Sequence, residues 1–240
     1  MTAPAATGRD EALAAAPPSA HDRPLAARLW YELVRHLAVS LFTATGSLRA
    51  SGQDRLPPSG GVLMVSNHLS FLDVFVLALP LRRQLNYVAR STLFFPPLGP
   101  FIRSVGGFPI QRDGMGASGV KETLRRLKRG GVVILFPEGT RSRTGLVGPL
   151  KPGIAVLAQR AKVPVVPVGL AGTFEGWPRS RPFPLPHPVR LEFGDPIPPS
   201  ELAGLSTEAV TALLHDRLVA CHRAALSKLA RDMGVDPPSA

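Results

Sequence analysis

Residues 62–73 read VLMVSNHLSFLD. The first five residues of this stretch are apolar or small and predict a short buried strand, whereas the residues from Phe71 onward predict a helix. His68 falls in the turn between the two elements, and Asp73 falls in the first turn of the helix. Ligands of open α/β sheets bind beyond the carboxyl ends of the strands. The stretch therefore predicts an α/β fold with a functional site at His68.

The same alternation of strand and helix continues along the chain. Apolar runs predict further strands at 87–88, 108–111, 132–136, 165–168 and 190–193. Apolar residues at helical spacing predict helices at 120–129, 153–160 and 207–231, with Ser206 as the N-cap of the last. The Pro-rich residues 176–189 predict a surface loop. The pattern indicates the α/β fold class, with a mixed β-sheet flanked by helices.

The composition predicts a basic, folded protein. The 240 residues carry a formal net charge of +11, and 45% of them are hydrophobic. A surplus of this size attracts nucleic acid, acidic phospholipid or a phosphorylated substrate, unless it only reflects a high use of arginine. The single cysteine, Cys221, excludes an intramolecular disulfide and a thiolate metal cluster. We expect Cys221 to be a core residue.

The two ends of the chain predict tails, and an amphipathic helix follows the first one. Residues 1–23 are rich in Ala, Pro, Thr and Ser and predict a disordered tail without a secretory signal, and residues 233–240 predict another tail. Residues 24–49 predict an amphipathic helix that lies at a membrane interface or packs on its own domain. No charge-free apolar stretch reaches the ~18 residues that span a bilayer, so we expect any membrane role to be played from the surface.

His68 and Asp73 admit two interpretations. In the first, an imidazole that titrates near neutral pH removes the proton of an attacking alcohol, and the carboxylate fixes the tautomer of the ring. In the second, Ser70 is a helix N-cap and Asp73 is the third residue of a capping box, so the carboxylate only begins a helix. The two residues alone do not decide between these interpretations.

Polar residues follow two further predicted strands. The strand at 132–136 leads into the sequence PEGTR, which places Glu138 and Arg141 at the sheet edge expected for His68. Arg112 follows the strand at 108–111. The planar fork of arginine suits phosphate. Because several predicted strands end in His or Arg, we expect this edge to bind an anion.

Four motifs resemble those of the glycerolipid acyltransferases. NHLSFLD (67–73) resembles the NHxxxxD signature of the family, and FPEGTRS (136–142) resembles its third motif. GGFPIQR (106–112) resembles the second motif, although many relatives carry an acidic residue where Gln111 stands, and VPVVPVGL (163–170) resembles the fourth. The motifs occur in the order of the family across roughly residues 50–200. The resemblance implies that residues 50–232 form an acyltransferase domain.

The resemblance also implies roles for individual residues. His68 is expected to be the general base and Asp73 its orienting partner. The residues expected to bind substrate are Asn67, Arg112, Glu138, Gly139, Thr140, Arg141 and Lys151. A fatty acyl group would pass from acyl-CoA or acyl carrier protein (acyl-ACP) directly to the free hydroxyl of 1-acylglycerol 3-phosphate. The family uses no acyl-enzyme, no metal and no cofactor beyond this acyl-donor substrate.

The resemblance leaves the acceptor open. Glycerol 3-phosphate, another lysophospholipid or a lyso-aminolipid are alternatives, and a non-catalytic lipid-binding protein is a more distant one. The expected partners are a lysophosphatidate-like lipid, the acyl-CoA or acyl-ACP donor and an anionic membrane surface, but no nucleic acid. The expected location is the cytoplasmic side of the cell membrane, as a peripheral or monotopic protein.

Two further features complete the sequence-based expectations. Residues 93–102 hold too many prolines for a helix and are predicted to line an acyl-chain tunnel, to dip into the membrane or to form a buried connecting loop. The histidines at positions 21, 36, 187, 215 and 222 have no motif partners and are expected to be structural or solvent-facing.

Overall fold

The structure, a computed structural model, describes residues 24–45, 48–110 and 116–236. The tail predicted at 1–23 lies outside these residues, as do residues 237–240 of the second predicted tail. Within the described ranges, one seven-stranded sheet runs through the domain. The strands are β1 (Leu48–Ser51), β2 (Val62–Ser66), β3 (Leu85–Arg90), β4 (Gly107–Ile110), β5 (Val132–Leu135), β6 (Val165–Ala171) and β7 (Val189–Phe193).

The strand order positions the functional site. The order is β1-β7-β6-β2-β5-β3-β4, and every neighbouring pair is parallel except β6 and β7. The predicted mixed sheet is therefore confirmed. Because β2, β3, β4, β5 and β6 all run in one direction, their carboxyl ends meet at one edge of the sheet.

Helices cover both faces of the sheet. The helices are α1 (Leu25–Thr45), α2 (Asp73–Ala78), α3 (Leu98–Ser104), α4 (Ala117–Lys128), α5 (Gly153–Ala161), α6 (Thr173–Gly176), α7 (Pro199–Leu202) and α8 (Thr207–Met233). Side chains alternate between the faces of a strand, so Leu63 and Val65 of β2 pack with α4, α5 and α8. Val62 and Met64 face the opposite layer, where α2 covers the sheet.

Helix α1 is shorter than the helix predicted at 24–49, because β1 already begins at Leu48. One side of the helix packs on the domain: Tyr31 is buried, and Trp30 Nε1 donates a hydrogen bond of 3.0 Å to Ser104 Oγ. The other side exposes leucines at a spacing of four residues, namely Leu25, Leu29, Leu33 and Leu37. No helix in the described part of the chain combines the length and the apolar character that crossing a bilayer requires.

The prediction that residues 93–102 hold no helix is wrong. Helix α3 begins at Leu98, directly after Pro97, and contains Pro100. The N–H groups of the first helical turn have no partner within a helix, so a proline at the third helical position removes no helix hydrogen bond. By contrast, the predicted N-cap of α8 is confirmed, because Ser206 accepts a hydrogen bond from the backbone N–H of Ala209.

Candidate active site

The sheet edge brings several of the predicted catalytic and binding residues together. His68 follows β2, and Glu138 and Arg141 lie in the turn that follows β5. The two strands are direct parallel neighbours, with Val65 opposite Leu135. The turns after both strands therefore lie side by side at the carboxyl edge.

His68 and Asp73 contact each other as the sequence predicts. His68 Nδ1 lies 2.8 Å from Asp73 Oδ2, and the Asp73 side chain is fully buried while that of His68 is 22% exposed. A carboxylate in this position selects the tautomer with the proton on Nδ1 and leaves Nε2 unprotonated. An imidazole held in this way can remove a proton from an alcohol bound beside it.

The carboxylate of Asp73 also organises the start of α2. Its Oδ2 atom accepts hydrogen bonds from the backbone N–H groups of Leu69 at 2.6 Å and Ser70 at 2.8 Å. A capping box uses its third residue in the same way. The hydroxyl of Ser70 donates to the carbonyl of Trp177, in the Pro-rich loop, at 2.9 Å. The predicted capping box is wrong in its positions, because α2 begins at Asp73 and has Leu72, not Ser70, as its N-cap. The buried carboxylate nevertheless both contacts His68 and accepts hydrogen bonds from the turn before the helix.

Two residues that were not predicted complete the surroundings of this pair. The ring of Phe136 stacks on the imidazole of His68, with centroids 4.1 Å apart and planes inclined by 18°. Thr173 Oγ1 donates a hydrogen bond of 2.7 Å to Asp73 Oδ1. The stack restricts rotation of the imidazole, and the bond from Thr173 holds the second carboxylate oxygen.

Glu138 supports the backbone beside His68. Its Oε1 atom accepts a hydrogen bond from the backbone N–H of His68 at 3.0 Å, and its Oε2 atom accepts one from Gly148 at 3.1 Å. The side chain is buried, and burial raises the pKa of the Glu138 carboxyl. Glu138 thus ties the turn after β2 to the loop after β5, and its predicted contact with substrate stays a prediction.

Asn67 connects the same turn to β6. Its side-chain Nδ2 donates to the carbonyl of Leu170 at 3.1 Å, and its Oδ1 atom accepts from the N–H of Leu170 at 2.8 Å. Asn67 is fully buried. The side chain therefore forms two hydrogen bonds between the end of β2 and β6, and these bonds hold Asn67, the neighbour of His68, in place.

Arg141 has a buried donor without an acceptor. Its guanidinium carbon lies 3.6 Å from the centre of the Phe71 ring, and Nη1 has no hydrogen-bond partner among the described residues. Burial and the positive charge of Arg179 lower the pKa of Arg141, and Arg90 adds to this effect while Asp73 opposes it. Arg179 and Arg90 are themselves exposed. The arrangement leaves a donor and several positive charges for a bound anion.

The remaining predicted residues lie around the turn after β5. Gly139 has a φ of 70°, which favours glycine, and a Cβ there would come within 2.6 Å of Lys151 Cε. Lys151 thus lies directly against the turn, and both Lys151 and Thr140 are exposed. Arg112, beyond the end of β4, lies outside the described residues.

A comparison with protein families decides the class of the protein. A family model described as Acyltransferase matches residues 47–171, just over half of the chain. The chain belongs to the acyltransferase family. The family predicted from the sequence is therefore confirmed, and the protein is an enzyme of the acyltransferase class.

The acyltransferase is similar to proteins named 1-acyl-sn-glycerol-3-phosphate acyltransferase. It is 27% identical over 194 residues to the enzyme of Bacillus subtilis (strain 168). This alignment covers 78% of this chain and 94% of that protein. It is 35% identical over 163 residues to the chloroplastic enzyme BAT2 of Brassica napus. This alignment covers 66% of this chain and 47% of that protein. The chain thus spans nearly all of the bacterial relative and about half the length of the plant relative.

A solved structure has the same fold as the acyltransferase. The crystal structure of the 1-acyl-sn-glycerophosphate (LPA) acyltransferase PlsC from Thermotoga maritima superposes with a TM-score of 0.71 at 25% sequence identity. The superposition covers 81% of this chain and 79% of that one. This likeness confirms the α/β fold class predicted from the sequence.

Sequence reasoning missed two residues around the site of the acyltransferase and left the place of a third open. Phe136 directly precedes PEGTR, so its position beside this motif could have indicated that it lies near the site. Thr173 lies 100 residues from Asp73 along the chain and has no local motif. His222, expected to be structural or solvent-facing, is buried and contacts the carbonyl of Leu170. The last two contacts become visible only once the strand order is known.

Proposed function

We propose that this acyltransferase moves a fatty acyl group from acyl-CoA or acyl-ACP to the free hydroxyl of 1-acylglycerol 3-phosphate and so forms phosphatidate. The observation that carries the proposal is the 2.8 Å contact between His68 Nδ1 and the buried Asp73 carboxylate. The names of its relatives supply the acceptor class.

His68 is the general base of the proposed reaction. Its Nε2 atom removes the proton of the acceptor hydroxyl while that oxygen attacks the thioester carbonyl carbon. The tetrahedral intermediate collapses, the carbon–sulfur bond breaks, and the imidazolium returns the proton to the departing sulfur. Asp73 stabilises the imidazolium while it carries this proton.

We infer direct transfer without a cysteine acyl-enzyme, because the sequence offers no suitable thiol nucleophile. The sequence has one cysteine, Cys221, which is buried on α8 and donates to the carbonyl of Pro167. Burial raises the pKa of its thiol to about 11, so a nucleophilic thiolate is disfavoured at neutral pH.

The phosphate of the acceptor is proposed to bind Arg141. The buried Nη1 atom of Arg141 lacks an acceptor among the described residues, and a phosphate oxygen would supply one. Arg179 and Arg90 act electrostatically on Arg141 and would add positive charge around the same phosphate. Arg112 is the further candidate from the second motif. We thus assign the predicted Pro-rich surface loop, which carries Arg179, to the acceptor site.

The acyltransferase is proposed to work at the cytoplasmic side of the cell membrane as a peripheral or monotopic protein. The exposed leucines of α1 supply an apolar stripe, and the net charge of +11 favours an anionic surface. Sedimentation with anionic vesicles tests this location. We expect the double variant Leu29→Glu/Leu33→Glu to stay in the supernatant, while Leu205→Glu, at an exposed leucine before α8, sediments like the unmodified protein.

Thiol release from acyl-CoA by the purified protein tests the reaction. We expect release that depends on 1-acylglycerol 3-phosphate and falls by about 10²–10⁴-fold in His68→Ala, the usual worth of a positioned general base. Parallel assays replace the donor by acyl-ACP, and the acceptor by glycerol 3-phosphate, another lysophospholipid or a lyso-aminolipid. Folded protein that releases no thiol with any of these pairs contradicts the catalytic proposal and leaves lipid binding.

A further inference from the structure

Helix α8 approaches β6 unusually closely behind the catalytic turn. At Gly169, a Cβ atom would come within 2.2 Å of the carbonyl carbon of Cys221 and 2.3 Å of the backbone nitrogen of His222. Only glycine leaves room for the helix backbone at this point. The close approach carries the ring of His222 into the interior, beside the end of β6.

His222 shares an acceptor with Asn67. Its Nδ1 atom lies 2.7 Å from the carbonyl oxygen of Leu170, which also accepts the hydrogen bond from Asn67 Nδ2. A carbonyl bonds only to a donor, so Nδ1 carries the proton. The two donor nitrogens lie 3.2 Å apart and both point at one oxygen. His222 and Asn67 thus occupy the two acceptor directions of a single carbonyl.

The ring also interacts with the backbone of Gly145, which raises the pKa of His222 against the larger effect of burial. His222 is 3% exposed, and its Nε2 atom has no hydrogen-bond partner within the described part of the chain. Burial lowers the pKa of His222, so the ring is neutral at physiological pH. An apolar side chain would fill the same space without an unpaired buried nitrogen. The hydrogen bond from Nδ1 to Leu170 is the contact of this histidine that reaches the catalytic turn through Asn67.

We propose that His222 is a positioning residue of the acyltransferase, acting on His68 through the carbonyl of Leu170 and the side chain of Asn67. The inference rests on the proposed role of His68 as general base. Asn67 precedes His68 directly, and its amide holds that end of the turn against β6. With His222 in place, the Leu170 carbonyl has one fixed direction left for Asn67. Without it, Asn67 and the residue that follows gain freedom to move.

Two variants of His222, both with a neutral side-chain amide, test this role. In His222→Asn, the side-chain amide nitrogen takes the place of Nδ1 and keeps the donor to Leu170. In His222→Gln, one more methylene carries the amide to the position of Nε2 and leaves Leu170 without that donor. We expect kcat of His222→Asn to stay within about threefold of the unmodified enzyme and kcat of His222→Gln to fall by about tenfold or more. A displacement of a catalytic group by about 1 Å can lower the rate about 10²-fold.

The separation of kcat from KM distinguishes positioning from a merely structural role. We expect the KM values for donor and acceptor to stay within about twofold in both variants, because neither changes a group that is proposed to bind substrate. Thermal unfolding and circular dichroism establish that each variant is folded. Equal kcat values for folded Asn and Gln variants, whether both high or both low, would overturn the proposal.

His68→Ala in the same assay separates this inference from the function on which it rests. Activity that survives in His68→Ala refutes the role of His68 as base. An inactive His68→Ala beside fully active Asn and Gln variants at position 222 refutes only the positioning role of His222.

Discussion

Thr173 Oγ1 lies 2.7 Å from Asp73 Oδ1, across 100 residues of sequence. Both side chains are fully buried. The other oxygen of Asp73 accepts bonds from the backbone of Leu69 and Ser70 and contacts His68, so every direction of the carboxylate is held. The carboxylate is therefore fixed by Thr173 at the start of α6 as well as by groups from its own turn.

Thr173→Val removes the hydroxyl while keeping the shape of the side chain. We expect a loss of about 1.5–3 kcal/mol in the free energy of unfolding, the usual worth of a hydrogen bond to a charged group. We expect kcat to fall with KM unchanged, because Asp73 then orients His68 less firmly. Urea denaturation and steady-state kinetics measure the two effects. Thr173→Ser keeps the hydroxyl and is the control; a serine variant as impaired as the valine variant would contradict this account.

Phe136→Leu replaces the aromatic stack on His68 by an aliphatic contact. We expect kcat to decrease about threefold to tenfold, because loss of the aromatic contact, worth about 0.5–1.5 kcal/mol, widens the range of imidazole orientations. Phe136→Tyr retains the stack and should keep kcat close to that of the unmodified enzyme. A leucine variant with unchanged kcat would show that Asp73 alone orients the ring.

Arg141→Lys keeps the charge but loses the planar fork. We expect KM for the phosphorylated acceptor to rise about tenfold while KM for the acyl donor stays constant, since a single ammonium cannot replace a two-pronged contact with phosphate. Initial rates at varied acceptor concentration measure the effect. Arg143→Lys, at an exposed arginine in the same turn, is the matched control and should leave both values unchanged.

The burial of His222 predicts a pH dependence of stability. Because burial lowers the pKa of His222 below its ordinary 6.5, the unfolded chain takes up a proton at a higher pH than the folded protein does. This contribution to stability is complete above about pH 6.5 and is lost as the pH falls toward the lowered pKa in the folded state. Urea denaturation between pH 7.5 and about 5 should therefore show a steeper loss for the unmodified protein than for His222→Asn. Parallel curves for the two proteins would contradict this prediction.

Local patterns were sufficient to predict most of the sheet and the contact between His68 and Asp73. Val62–Ser66 begins with four consecutive apolar residues and was predicted at its observed bounds. The His68–Asp73 pair could be predicted because both residues belong to one strand–turn–helix unit, whose geometry depends on few residues. Strand β1, with the sequence LRAS, lacks such a run and pairs in parallel with β7, from which it is distant in sequence.

Contacts between distant segments could not be predicted in the same way. The contribution of Thr173 depends on β6 lying next to β2, which nothing in residues 66–73 indicates. Arg179 belongs to a Pro-rich loop whose composition only suggests exposure, whereas its place near Arg141 depends on how that loop crosses the sheet edge. Sequence spacing constrains contacts between residues that are close along the chain, whereas strand order decides which distant segments contact each other.

The packing of α8 on β6 gives the enzyme a built-in order of assembly. A ribosome makes the catalytic turn and every described strand before it makes α8. The nascent chain therefore contains His68 long before it contains His222, and the apolar surface of β6 that α8 covers is exposed in the meantime. On the proposed role of His222, activity would be acquired late in biosynthesis, when translation of α8 completes a support for residues made near the beginning.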